Sequence, residues 1–268
     1  MIARWLLALL LLAPLWGATP PSPPLTLVTE DLPPLNYPDG DKISGIATEI
    51  VMATLDRAGL NAIPRVYPWA RAIGMAEQQE NVLIFSIARI PEREKRFQWI
   101  GPLFPFSESL YKLKTRKDIQ LTTLKEAMQY QTGVIRGYAV HELLKREGFA
   151  DNIHLQLAKD QEQNLRKLFS GKTDLLVGSS LDLMWRLQHN PELGRYEDLE
   201  RALYLEKSFS HVYMAFGLKT RPEMVEQLRH GFEQIQADGT LDKILSKYHY
   251  SESSPSDHAP LGESIKAN

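Results

Sequence analysis

The stretch of this chain with the most chemical content is residues 82–104, VLIFSIARIPEREKRFQWIGPLF. Val82 to Ile87 is a short, nearly continuous apolar run, the pattern of a buried strand. It runs out at Ser86-Ile87-Ala88, where one hydroxyl and free backbone N–H and C=O groups become available. A Pro91-Glu92-Arg93 turn follows and returns through Phe97 and Trp99. Arg93 is near enough in sequence to bring its guanidinium back to the strand end. A planar fork of that kind suits a carboxylate, because two parallel N–H···O bonds fix both position and angle. The competing reading is a solvated turn. Glu92, Arg93, Glu94, Lys95 and Arg96 form one charged run, and exposed ion pairs contribute little.

Motifs of covalent or metal chemistry are missing. The seven histidines (141, 154, 189, 211, 230, 249 and 258) show no metal-ligand spacing. No HExxH, GxSxG or GxxxxGK(S/T) pattern occurs. There is no cysteine, which removes disulfides, thiolate metal sites, cysteine nucleophiles and lipid attachment through Cys. Acidic residues are plentiful, but no spacing pairs two of them as acid and base. The expectation is a binding protein and not an enzyme, with neither cofactor nor metal. A net charge of −2 offers no basic excess to neutralise phosphates, so nucleic acid is not an expected partner.

Strand and helix signals alternate through the elements that must position Ser86 and Arg93. Leu25–Thr29 reads as a strand, and the prolines at 33, 34 and 38 with Asp39-Gly40 as a loop that contains Tyr37. Apolar residues between Gly45 and Gly59 recur at helical spacing. Residues 63–66 form a weak strand that Pro64 assigns to an edge or to a strand start, and 69–79 a helix. Gly133-Val134-Ile135 is a strand leading through Arg136-Gly137-Tyr138 into a helix that ends near Arg146. Asp160 with Gln163, and Thr220 with Glu223, have the spacing of capping boxes. Residues 174–178 and 212–218 read as further strands, with Ser179-Ser180 opening a helix. Such alternation predicts an α/β fold with mostly parallel pairing. Ligands in such folds bind beyond the carboxyl ends of the strands, at helix N-termini.

The ends of the chain differ from the rest. Arg4 precedes an apolar run from Trp5 to Trp16, then Gly17 and Ala18 and a Pro-rich stretch. This is the layout of a signal peptide over residues 1–18, with 19–24 as a leader. The run falls short of the roughly 20 residues that span a bilayer. Residues 251–268 are polar, without periodicity, and read as a disordered tail.

Five segments, in order, resemble the family-3 solute-binding proteins of the type II periplasmic-binding fold, best known from polar-amino-acid uptake. They are LTLVTEDLPPLNYPDGDKISGIATEI, FSIARIPEREKRFQWIGPLF, QTGVIRGYAVHELL, GKTDLLVGSSLDL and IQADGTLDKILSKYH. YPWARAI further resembles a subgroup with a Pro-Trp-x-Arg-Ala pattern. The resemblance implies two lobes joined by a hinge, residues 25–105 with 208–250 and residues 106–207, and a ligand cleft between them. It implies that Arg93 holds a ligand carboxylate beside Ser86 and Ala88, and that Trp69 stacks on the ligand body with Arg71 nearby. Gly137, Tyr138 and Ala139 would complete the second lobe with Ser179. Two departures stand out. Leu32 occupies an aromatic position of the first loop, and Ser179 stands where amino-acid binders carry the Asp that pairs with the ligand ammonium. Glu30 is the candidate replacement. The implied function is a periplasmic binding protein, expected to be monomeric, that delivers a small polar solute to an ABC-type permease. An orphan sensor with a membrane partner and a dehydratase-like enzyme using Glu30 are the alternatives.

Overall fold

The computed structural model describes residues 23–205 and 211–248. The signal peptide, most of the leader, the 207/208 boundary and the tail expected from the sequence lie outside the described residues.

The chain opens with β1 (Thr26–Thr29), the hairpin β2 (Tyr37–Asp39) and β3 (Lys42–Ser44), and α1 (Ile46–Arg57). Then come β4 (Pro64–Val66), α2 (Trp69–Gln78), β5 (Val82–Ala88) and β6 (Phe97–Pro105). A second set follows: β7 (Ser109–Leu113), β8 (Thr132–Ile135), α3 (Ala139–Arg146), β9 (Leu155–Ala158), α4 (Gln161–Phe169), β10 (Leu175–Gly178), α5 (Ser180–His189) and β11 (Leu199–Tyr204). The chain then returns with β12 (His211–Gly217), α6 (Pro222–Ala237) and α7 (Thr240–Lys247).

Two five-stranded sheets result, ordered β4-β1-β5-β12-β6 and β11-β7-β10-β8-β9. The molecule is thus α/β and two-lobed, and β4 is an edge strand that begins at Pro64, two positions that each accommodate a proline. The expectation of mostly parallel pairing needs correction. β1 pairs parallel with β4 and β5, and β8 with β9 and β10. However, β12 runs antiparallel between β5 and β6, and β7 antiparallel between β10 and β11. Each antiparallel insert is a strand that has crossed from, or returned to, the other sheet, and no βαβ unit orients it.

Each sheet is packed on both faces. In lobe 1, Ile50, Leu55, Leu228, Phe232 and Ile235 of α1 and α6 bury one face with Phe85 and Phe216. Trp69, Ala72 and Ala76 of α2 cover the other. In lobe 2, Val140 and Leu144 of α3 lie in one core, and Leu165, Leu168, Leu183 and Leu187 of α4 and α5 in the other. Gly45 fixes the start of α1. Its φ is 121°, and a Cβ there would stand 2.4 Å from the Leu35 carbonyl oxygen.

The two capping boxes fare differently. Asp160 caps α4, accepting from the Gln163 N–H at 2.8 Å, while the Gln163 side chain reaches back to the Lys159 N–H at 2.9 Å. The Thr220 box does not form. Pro222 starts α6, Arg221 becomes its N-cap, and Thr220 is buried with its hydroxyl accepting from the Asn81 N–H at 2.9 Å. A buried tertiary donor outcompetes the local cap there.

Candidate functional site

The ends of β1 and β5 and the starts of α2 and α3 meet between the lobes. Glu30, Trp69, Ser86, Ala88, Arg93, Glu108, Tyr138 and Ala139 line one small cavity of about 20 Å3, with Leu32, Phe106 and Val212. A second cleft of about 310 Å3 shares Glu30, Trp69 and Tyr138. It continues past Tyr67 and Pro68 to Asp31, Gln161 and Arg186.

Arg93 follows β5 in a tight turn, its N–H bonded to the Ile90 carbonyl at 2.9 Å. The charged run around it is largely exposed, yet Arg93 itself is 2% exposed. Its guanidinium donates to the Ala88 carbonyl at 3.1 Å and, across the cleft, to the Gly137 carbonyl at 2.9 Å. It also lies over the Trp69 ring, 5.0 Å from the centroid, a cation–π arrangement. Burial lowers its pKa to about 10, against the opposing pull of Glu30. It keeps its charge at neutral pH.

Trp69 begins α2 with its ring buried and its indole N–H donated to the same Gly137 oxygen at 2.8 Å. That carbonyl therefore receives two donors from the opposite lobe. The turn that presents it is held by His141. Its Nδ1 accepts from the Gly137 N–H at 3.0 Å, and its Nε2 lies 2.9 Å from Asp151. These partners assign an Nε2-protonated ring. Gly137 adopts φ 74°, a conformation that favours glycine.

Glu30, just past β1, accepts a hydrogen bond from the Tyr138 hydroxyl across the cleft. Burial raises its pKa to about 8, with Asp182 and Glu108 adding to the rise. Glu108, between β6 and β7, is raised to about 8 by the same cause, partly opposed by Arg93. Ser86 sits in β5 at φ 59° and gives its hydroxyl to Asn36 Oδ1. The Asn36 side chain in turn donates to the Glu30 carbonyl at 2.6 Å. The first-loop residue Asn36 thus ties the two strand ends together. On the α5 side, Arg186 bonds Asp182 at 2.7 Å and reaches Asp31 of lobe 1 at 3.2 Å. Burial raises Asp182 to about 6, with Arg186 opposing.

The structure brings Glu30, Trp69, Ser86, Ala88, Arg93, Tyr138 and Ala139 to one cavity, and Gly137 beside it. It does not bring two others. Arg71 is exposed, its guanidinium 4.5 Å from the Tyr67 ring centroid, because its place on α2 points away from the stripe that buries Trp69, Ala72 and Ala76. Ser179 is buried as the N-cap residue of α5 and lines neither space. The backbone N–H groups of the Gly137–Ala139 turn are also partly committed. The Gly137 N–H goes to His141 and the Tyr138 N–H to the Ile135 carbonyl at 3.2 Å. Ala139, first residue of α3, lies in the helix's unpaired first turn. Sequence reasoning missed Glu108, Asn36 and the Asp31–Arg186–Asp182 chain. The Asp182–Arg186 spacing of four within a helix was a usable signal; Glu108 carried none. Among the described residues no cluster of side chains is arranged to hold a metal ion, and no helix is long and apolar enough to cross a membrane.

Residues 25–251 match the model of the bacterial extracellular solute-binding proteins, family 3. The chain belongs to that family. A search among curated proteins gives no match. Among solved structures, this family member is similar to a histidine kinase sensor domain described as similar to periplasmic binding proteins (TM-score 0.72, 16% identity, 84% of this chain and 95% of that one). It is similar to the arginine-, lysine-, histidine-binding protein ArtJ of Geobacillus stearothermophilus (TM-score 0.71, 16% identity, 84% and 94%). It also resembles an ancestral amino-acid-binding protein that is a precursor of cyclohexadienyl dehydratase (TM-score 0.67, 16% identity, 84% and 95%). At such identities what is shared is the fold.

Proposed function

We propose that this family-3 protein is exported to the periplasm and captures a small polar solute, an amino acid or related compound, for an ABC-type permease. The observation that carries the reading is Arg93. It is a buried guanidinium from lobe 1 that touches the lobe 2 backbone, in a cavity walled by acidic, aromatic and hydroxyl groups of the interlobe cleft. A solute that contacts both walls favours lobe closure by its extra contacts there. In this reading residues 25–105 with 208–250 and residues 106–207 are the moving bodies, and Arg93 with Ser86 meets a carboxylate while Trp69 packs on the solute body. Thermal-shift measurements with L-arginine, L-lysine, L-histidine, L-glutamine and small dicarboxylates test it. At about 100 times Kd a true ligand stabilises by about 2.7 kcal/mol. An Arg93→Ala protein that bound every wild-type ligand with full affinity would sink the assignment.

A second reading has one observation in its favour. Glu30, with its pKa raised to about 8 and aimed at the cavity, is protonated at neutral pH and so is competent as a general acid. Turnover of a bound hydroxylated solute that disappears in Glu30→Gln would replace the binding reading with a dehydratase-like one. A thermal shift without product would exclude it. A sensor in place of a permease partner shares the same site, and affinity capture of membrane proteins on the loaded protein separates the two.

A further inference from the structure

The small cavity and the larger cleft share Glu30, Trp69 and Tyr138, and these three side chains are the partition between them. Ser86, Ala88 and Arg93 lie on the small side alone. At about 20 Å3 that side holds one water-sized group. No amino acid fits there, so a solute reaches Arg93 only if the partition moves.

Two of the three partition residues are fixed. Trp69 is buried, with Arg93 over its ring and its indole N–H on the Gly137 carbonyl. Glu30 is buried just past β1, and Asn36 holds its carbonyl at 2.6 Å. Tyr138 differs. It is the N-cap residue of α3 and is only half-buried. Its backbone is pinned on both sides, the N–H to the Ile135 carbonyl at 3.2 Å and the carbonyl by the Glu142 N–H at 3.2 Å. Among the described residues its side chain has one hydrogen bond, donated to Glu30, and one ring contact, edge-on to Trp69 at 5.9 Å. A change of χ1 rotamer breaks both and leaves the backbone where it is. Burial, and after it the Glu30 charge, raises the phenol well above its ordinary pKa of 10, so it stays a donor at neutral pH.

We propose that the Tyr138 side chain is a gate that fills the solute's place in front of Arg93 and must swing out before a solute meets the guanidinium. This deepens the solute-binding reading and rests on it. The phenol does what a bound solute would do: it comes from lobe 2, donates to a lobe 1 carboxyl and packs on a lobe 1 ring. The empty protein is closed on its own side chain, and a solute competes with that side chain. Apparent affinity is then the intrinsic affinity reduced by the fraction of molecules whose gate is open.

The chain has no cysteine, so a thiol placed at Ala88, on the small side of the partition, is unique. The test compares the iodoacetamide labelling rate of Ala88→Cys with Tyr138 present and with Tyr138→Ala. Labelling is expected to be at least about 10-fold faster without the gate. Val66→Cys, on the large side, should label equally in both backgrounds, and the radius of gyration from X-ray scattering should not change. Tyr138→Phe keeps the ring and removes only the bond to Glu30. It should raise the Ala88→Cys rate by about 3-fold, and it decides the matter if Tyr138→Ala does not fold. In calorimetry with L-arginine, L-lysine, L-histidine and L-glutamine, at least one solute should bind Tyr138→Ala about 10-fold more tightly than wild type. Equal Ala88→Cys labelling would overturn the gate. Faster labelling with a larger radius of gyration would also overturn it, because Tyr138 would then be a latch between the lobes. So would equal or weaker solute binding by Tyr138→Ala, which would make the phenol a solute contact or a bystander. If no solute bound either protein, the solute-binding reading would fall, and the labelling rates would still decide the gate.

Discussion

The burial of Glu108 can be read directly from stability against pH. Its carboxyl sits at about 8 in the folded protein against an ordinary value of 4.5. A folded-state pKa raised above the unfolded one contributes stability that is complete below the unfolded value and is lost as pH rises through the folded value. In the window between, the folded chain holds a proton that the unfolded chain has released, and stability falls by about 1.4 kcal/mol per pH unit for one group. Between pH 5.5 and 7.5 the loss assignable to Glu108 is about 2.5 kcal/mol. Glu108→Gln keeps the shape and removes the titration. Wild-type and variant proteins should be melted at both pH values by circular dichroism. The wild-type melting temperature should fall by roughly 5–10 °C more than that of the variant over that interval, given about 2–4 °C per kcal/mol at this chain length. Glu30 titrates in both proteins, and only its coupling to Glu108 enters the difference. Parallel curves would refute the reasoning, because they would mean that Glu108 meets solvent in the folded state.

Other perturbations follow from the same contacts. Arg186→Met leaves Asp182 buried without its cation, and denaturant unfolding should show a loss of about 3–5 kcal/mol that adding Asp182→Asn largely restores. Thr220→Val removes the acceptor of the buried Asn81 N–H and should cost about 1–3 kcal/mol by the same assay, whereas an ordinary helix-cap loss would recover with Thr220→Ser and this one should too only if Ser keeps the 2.9 Å bond to Asn81. Tyr37→Ala removes a ring contact across the cleft, 4.8 Å from Trp185 on α5 and worth about 0.5–1.5 kcal/mol beyond its area. X-ray scattering should then report a larger radius of gyration, with solute affinity weakened in proportion to the lost closed population.

Alternation of strand and helix was legible because each buried element carried its own period or apolar run. Val82–Ile87 announced β5, and Pro64 announced an edge or a strand start. The spacing of Arg93 from Ser86 placed the guanidinium correctly because a short turn leaves it few places to go. What the sequence could not show is what depends on the second lobe. Gly137 matters through its carbonyl oxygen, which no side-chain pattern advertises. Glu108 looks like one acid among 33 acidic residues until the turn from β6 into β7 buries it. Arg71 fails for a helical reason: two residues on from Trp69 is about 200° around the axis, so a side chain there faces away from the buried stripe. Thr220 fails because a capping motif is a local preference, and the Asn81 N–H made a tertiary demand on the same hydroxyl.

The arrangement of donors around Gly137 bears on how a solute and lobe contact can coexist. Both Trp69 and Arg93 donate to that one oxygen. A carboxylate reaching Arg93 would exchange a neutral carbonyl for a charged acceptor, and charge-assisted pairs are roughly twice as strong as neutral ones. The indole N–H would remain on Gly137, so one bond between the lobes survives the exchange. The α5 side adds Asp31–Arg186 and Tyr37–Trp185, neither of which involves a group lining the small cavity. Lobe contact is thus divided between a set at the small cavity and a set outside it, of which Asp31 and Arg186 line the larger cleft. Glu30, Glu108 and Arg93 belong to the first set, and the Tyr37–Trp185 ring contact to the second.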